Sequence, residues 1–207
     1  MLDFTLVSLF IPTFFIVSIT PGMCMTLAMV LGMSIGIRKT LWMMWGELIG
    51  VAIVAVSSVI GVSAIMLELP QIFDILKFIG AGYLFYIGIN MWRSKGKLAI
   101  SINNSSTVNT NKGSLFYQGF ITAIANPKGW AFMISLLPPF INTQYALAPQ
   151  LSVLITIILV SEFTCMMLYA AGGKTIGKVF TEQNNVKYLN RLSGTLMILV
   201  ALWLAAS

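Results

Sequence analysis

The sequence predicts an all-α integral membrane protein with six transmembrane helices, built as two inverted three-helix halves whose first and fourth helices are broken at proline. Three observations carry that reading. The 207 residues are 58% hydrophobic and only 9% charged, with a mean hydropathy of +0.92, too apolar for a soluble domain of this length. Two apolar stretches are each interrupted by a proline beside a polar turn: Thr20-Pro21-Gly22 in the first and Asn126-Pro127-Lys128-Gly129 in the fourth. Basic residues concentrate in every second connection between stretches.

The stretches cover residues 4–35, 41–67, 72–92, 115–141, 147–172 and 189–206. A helix needs about 20 apolar residues to cross a bilayer, so six spans fit, with the first long enough to tilt or break and the last near the lower limit. No basic segment precedes the first stretch, which starts directly after Met1-Leu2-Asp3; it is expected to be a retained span rather than a signal peptide. Proline removes an intrahelical hydrogen bond, and in hydrocarbon the carbonyls it frees need another partner. A transported solute is one such partner, and broken helices at matching places in two half-chains point to a secondary transporter's binding site.

Arg38 and Lys39 follow the first span, Arg93, Lys95, Lys97 and Lys112 the third, and Lys174, Lys178, Lys187 and Arg191 the fifth. These connections are expected in the cytoplasm, which places both termini on the periplasmic side of a bacterial inner membrane. The net charge of +6 then orients the chain in a lipid bilayer and calls for no nucleic acid. Residues 101–113 form the longest polar run and read as a linker. They divide one transmembrane domain into halves of residues 1–100 and 114–207. Each half has an odd number of spans, so similar halves must lie upside down relative to one another. Sliding Pro21 onto Pro127 also places Phe10 on Phe116, Phe14 on Phe120, Leu31 on Leu137 and Gly88 on Gly194.

Gly32 with Gly36, and Gly46 with Gly50, are spaced as close-packing helix stripes, and Gly80, Gly82 and Gly88 on the third span invite the same reading. Trp42, Trp45, Trp92 and Trp203 fall near span ends, where indoles anchor at the headgroup level. The intramembrane charges are more telling, since each costs about 3 kcal/mol at a helix centre and persists only with a partner or a wet cavity. They are Glu47, Lys128 and Glu162. One reading has Lys128 and Glu162 neutralise each other; the other has an ammonium and a carboxyl near the midplane recognise a zwitterion or carry a proton. With no histidine, and with Cys24 and Cys165 far apart, neither a zinc site nor a disulfide framework is indicated, and no cofactor is expected.

Thr20-Pro21-Gly22-Met23, Gly32 to Gly36, Arg38, Gly46, Gly50 and Leu76-Lys77-Phe78-Ile79-Gly80-Ala81-Gly82-Tyr83-Leu84 resemble the first half of a LysE/RhtB-type amino-acid exporter. Gln118-Gly119-Phe120, Asn126-Pro127-Lys128, Leu137-Pro138-Pro139-Phe140 and Arg191-Leu192-Ser193-Gly194 resemble the second. The resemblance implies a six-span inner-membrane permease, not an enzyme, that exports amino acids by exchange with protons, with a homodimer as a candidate assembly. Many relatives read Pro-Gly-Pro where this chain has Pro21-Gly22-Met23, and many carry an aspartate where it has Val51. Glu47 stands one helical turn before Val51, on the same face.

On this reading Thr20, Pro21, Gly22, Asn126, Pro127 and Lys128 bind substrate. Free N–H groups at each resumed helix receive a carboxylate, and carbonyls released before the proline receive an ammonium. Phe14, Met25 and Phe132 suit a neutral or apolar side chain. Glu162 or Glu47 carries the coupling proton. Another small metabolite is an alternative cargo. A cation exporter is disfavoured by the scarcity of acids, and a thiol-redox conduit by Trp130, which stands where the repeat would place Cys24's partner.

Overall fold

A computed structural model describes residues 4–68, 70–93, 110–142, 144–173 and 183–206. The described residues form eight helices: α1 (Phe4–Ile19), α2 (Met23–Ile35), α3 (Ile37–Glu68), α4 (Pro70–Arg93), α5 (Lys112–Ile124), α6 (Pro127–Leu136), α7 (Leu147–Ala171) and α8 (Gln183–Ala206). The all-helical expectation holds for them. α3 and α7 are each long and apolar enough to cross a membrane, and two bent pairs qualify as broken spans, α1 with α2 at 57° and α5 with α6 at 51°. The protein is therefore a multi-pass membrane protein. α4 and α8, of 24 residues each, reach about 36 Å at a helical rise of 1.5 Å per residue. Most of the expected linker, and the Trp203 side chain, lie outside the described residues. Helix α5 already starts at Lys112, with the Asn111 side chain accepting from the Gly113 N–H as its cap.

The two breaks are built differently. At the first, α1 ends at Ile19 and Gly22 opens α2 with no side-chain cap. At the second, the Asn126 side chain accepts from the Lys128 N–H and Pro127 occupies the first helical turn, a position where a missing N–H is harmless. Pro12 lies inside α1 without interrupting it, so proline alone does not make a break here.

Glycine decides how closely the helices approach. Any Cβ on Gly46 would strike the Phe116 carbonyl oxygen, and any Cβ on Gly119 the Met43 carbonyl oxygen, so α3 and α5 cross backbone to backbone. Gly32 meets Ala170 in the same manner, joining α2 to α7. Gly36 departs from the expected stripe: it has φ +79 and open space around it, and it supplies the left-handed turn between α2 and α3. Gly82 also faces open space, whereas Gly88 packs tightly. A Cβ on Gly88 would lie 2.8 Å from the Gly194 oxygen, and one on Gly194 would lie 2.5 Å from the Gly88 oxygen. The α4–α8 contact is thus nearly symmetric about the glycine pair that the sequence offset matches.

Gly46→Leu is expected to destabilise the fold by about 3 kcal/mol or more, because overpacking here meets backbone rather than a movable side chain. Gly82→Leu serves as its control. Thermal unfolding in detergent should separate the two, with the first variant lost and the second close to wild type.

Each broken pair packs against a long helix of the other half, α1 and α2 against α7, and α5 and α6 against α3. Two apolar clusters fill the interior. One gathers Phe10, Phe14, Val54, Phe132, Leu136, Phe140 and Ile158, and the other is rich in sulfur, with Met25, Met29, Met43, Met44, Cys165 and Met166. The cavity that follows has lining residues from α1, α2, α3, α5, α6 and α7.

Candidate functional site

Both helix breaks open onto one cavity. Its room for water-sized centres is about 50 Å³, where a single water needs about 10–15 Å³ on such a scale. Thr20, Gly22, Asn126, Lys128, Glu47 and Glu162 all line it, so six of the eight expected site residues meet in one place. Pro21 and Pro127 do not line it; they shape the turns that present the others. Phe14, Val17, Met25, Val51, Val54, Phe132 and Met133 supply an apolar wall.

The carbonyls at the end of α1 are the first thing the cavity must satisfy. The last turn of a helix leaves carbonyls with no intrahelical donor, and water cannot freely serve them in a bilayer. Here the protein supplies donors of its own. Lys128 Nζ donates to the Thr20 oxygen at 3.2 Å and the Val17 oxygen at 3.4 Å. The Tyr169 hydroxyl donates to the Ile19 oxygen at 2.9 Å, and Thr20 Oγ1 to the Ile16 oxygen at 2.9 Å. Lys128 crosses directly over Gly22, where a Cβ would lie 3.6 Å from Nζ.

The two acids behave differently. Glu162 Oε1 accepts from Ser18 Oγ at 2.9 Å, and the ammonium's two hydrogen bonds go to carbonyls rather than to this carboxyl. Lys128 and Glu162 nevertheless line the same cavity. Glu47 is fully buried on α3, and neither of its oxygens has a hydrogen-bond partner among the described residues, although the Cys24 thiol lies alongside. Glu47 and Glu162 both line the cavity. The two acids are thus neighbours around one cavity rather than competing candidates for separate sites.

Sequence reasoning missed Ser18, Tyr169 and Cys24 as parts of this arrangement. Ser18 lies one turn before Pro21, which is the only local signal that it faces the break. Asn126 Nδ2 contacts Cys24 Sγ at 3.7 Å, tying the two breaks together. Both cysteines are free and buried. Among the described residues no group of three or more His, Cys, Asp or Glu is placed to hold a metal.

Residues 15–207 match the family described as LysE type translocator. The chain belongs to that family. It is accordingly a membrane translocator rather than an enzyme. Among its relatives, the homoserine/homoserine lactone efflux protein of Salmonella typhimurium (strain LT2) is 28% identical over 192 residues, which cover 93% of this chain and 92% of that protein. The leucine efflux protein of Salmonella choleraesuis is 28% identical over 162 residues, 74% of this chain and 72% of its own. An uncharacterized membrane protein of Vibrio cholerae is 27% identical over 190 residues, with 92% and 91% covered. No solved structure matches the chain.

Proposed function

We propose that this translocator is a secondary active exporter of neutral or apolar amino acids across the bacterial inner membrane, with the cavity between the helix breaks as its binding site. One observation carries the reading: a single cavity holds an ammonium on carbonyls at the end of a broken helix, a buried carboxyl with no hydrogen-bond partner among the described residues, and an apolar wall. An amino acid presents the complementary set of groups. Its carboxylate suits the uncapped N-terminus of α2 at Gly22, where backbone N–H groups and the positive end of the helix dipole converge. Its ammonium suits Glu47 and the α1 carbonyls. Its side chain suits Phe14, Met25, Phe132 and Met133.

The relatives named for homoserine and leucine efflux support a neutral cargo. Proton antiport completes the proposal, with Glu162 or Glu47 carrying the proton, since an acid at that depth cannot stay charged and unpaired through a full cycle. Six spans in two inverted halves, with both termini periplasmic, fit the symmetric Gly88–Gly194 contact and the alternating basic connections. The test is made in cells fed dipeptides, with and without overproduction of the protein. Overproduction should lower the intracellular pool and raise the medium pool of one or more neutral amino acids. If every amino-acid pool stays unchanged, the proposal fails.

A further inference from the structure

Resting on that reading, we infer that Lys128 is a tethered stand-in for the substrate's ammonium: it occupies the α1 carbonyls when the site is empty and yields them when an amino acid binds. Lys128 is the second residue of α6, at the positive end of that helix, where a cation is unfavourable. Its side chain instead spans the gap between the two breaks and places Nζ at the negative end of α1, where a cation is favoured. The Thr20 and Val17 oxygens it reaches both lie just before the break at Pro21, and the Val17 oxygen also accepts the Thr20 N–H at 3.3 Å. A lysine side chain and an amino acid both end in a primary ammonium, and both satisfy the same geometry.

The seat is built to be vacated. Its hydrogen bonds, at 3.2 and 3.4 Å, lie at or beyond the long end of the roughly 2.7–3.2 Å range of N–H···O bonds. The Phe132 ring centroid stands 5.8 Å from Nζ, near the outer limit of a cation–π contact at about 6 Å. Glu162 accepts from Ser18, and the hydrogen bonds from Nζ go to carbonyls. An entering ammonium displaces Nζ from the carbonyls, and the Lys128 side chain swings aside without being needed to hold the substrate. When substrate leaves, Nζ returns, and a cavity lined by two acids is never left without a cation.

This places Lys128 in one step of the cycle more than the others. Return of the substrate-free protein depends on it, whereas exchange of labelled for unlabelled substrate bypasses that return. In proteoliposomes driven by a substrate gradient alone, Lys128→Met is expected to lower the ratio of net efflux to exchange at least about tenfold. Methylammonium, an untethered primary ammonium, should recover most of that ratio in the variant and leave wild type unmoved. A smaller fall in the ratio, or a fall that methylammonium does not reverse, overturns the inference. Loss of both modes in Lys128→Met also overturns it, because binding itself then requires the lysine. Wild-type liposomes that exchange no amino acid at all would instead defeat the exporter reading.

Discussion

Glu162→Gln is expected to abolish the response of efflux to a pH gradient while leaving the protein in the membrane at normal abundance. Glutamine keeps the shape of the side chain and still offers an oxygen to Ser18, whose hydroxyl donates at 2.9 Å to Glu162. It cannot gain or lose a proton. An imposed gradient that speeds wild-type efflux should therefore leave the variant at the rate its substrate gradient alone sustains. The comparison with Glu47→Gln assigns the role. If Glu162→Gln still responds and Glu47→Gln does not, the coupling proton belongs to Glu47, whose oxygens have no hydrogen-bond partner among the described residues. If Glu162→Gln misfolds and Lys128→Met restores it, the pair is structural and neither residue belongs to the site.

Joint replacement of the second break, Asn126→Leu with Pro127→Ala, should reduce efflux at least about tenfold. Sequence alone puts the weight on proline, because Pro21→Ala and Pro127→Ala restore missing backbone donors. The structure moves the weight at the second break to Asn126. Its side chain caps α6 and also contacts Cys24, so removing only Pro127 leaves the turn held. Losing the cap costs about 1 kcal/mol, too little to unfold the protein. The pair α5–α6 is then free to straighten from its 51° bend, which carries Lys128 away from α1. Normal abundance with lost efflux is the expected pairing, measured by membrane blot and by pool analysis. Normal efflux in the double variant would show that the bend is incidental.

The parts of this fold that were legible in the sequence are those set by one-dimensional physics. Apolar length located α7 nearly to the residue and α3 to within four residues at its start, and the polar turns at Thr20-Pro21-Gly22 and Asn126-Pro127 located both bends. Proline was informative only in company: Pro12 sits within an uninterrupted helix, while Pro21 with Gly22 and Pro127 with Asn126 mark real breaks. Spacing also identified Gly32, Gly46 and Gly50 as packing positions, yet it could not tell them from Gly36 and Gly82, which face open space. That distinction depends on which helix lies opposite.

The candidate site was legible as a list and not as an arrangement. Depth in a span singled out Glu47, Lys128 and Glu162, because charge in hydrocarbon is costly wherever it occurs. Partner choice was invisible, since it is made between helices distant in sequence. Lys128 bonds to α1 rather than to Glu162, and Glu162 accepts from Ser18, a serine marked locally only by its place one turn before Pro21. Glu47 stands one turn from Val51, and both line the same cavity.

Amino-acid export is tested most directly with purified protein in liposomes preloaded with labelled leucine, homoserine or arginine. Protein-dependent release of leucine or homoserine is expected, faster when the outside is made acidic, with little release of arginine, which would add a second positive charge beside Lys128. Release of arginine alone, or no protein-dependent release of any neutral amino acid, would contradict neutral amino-acid export.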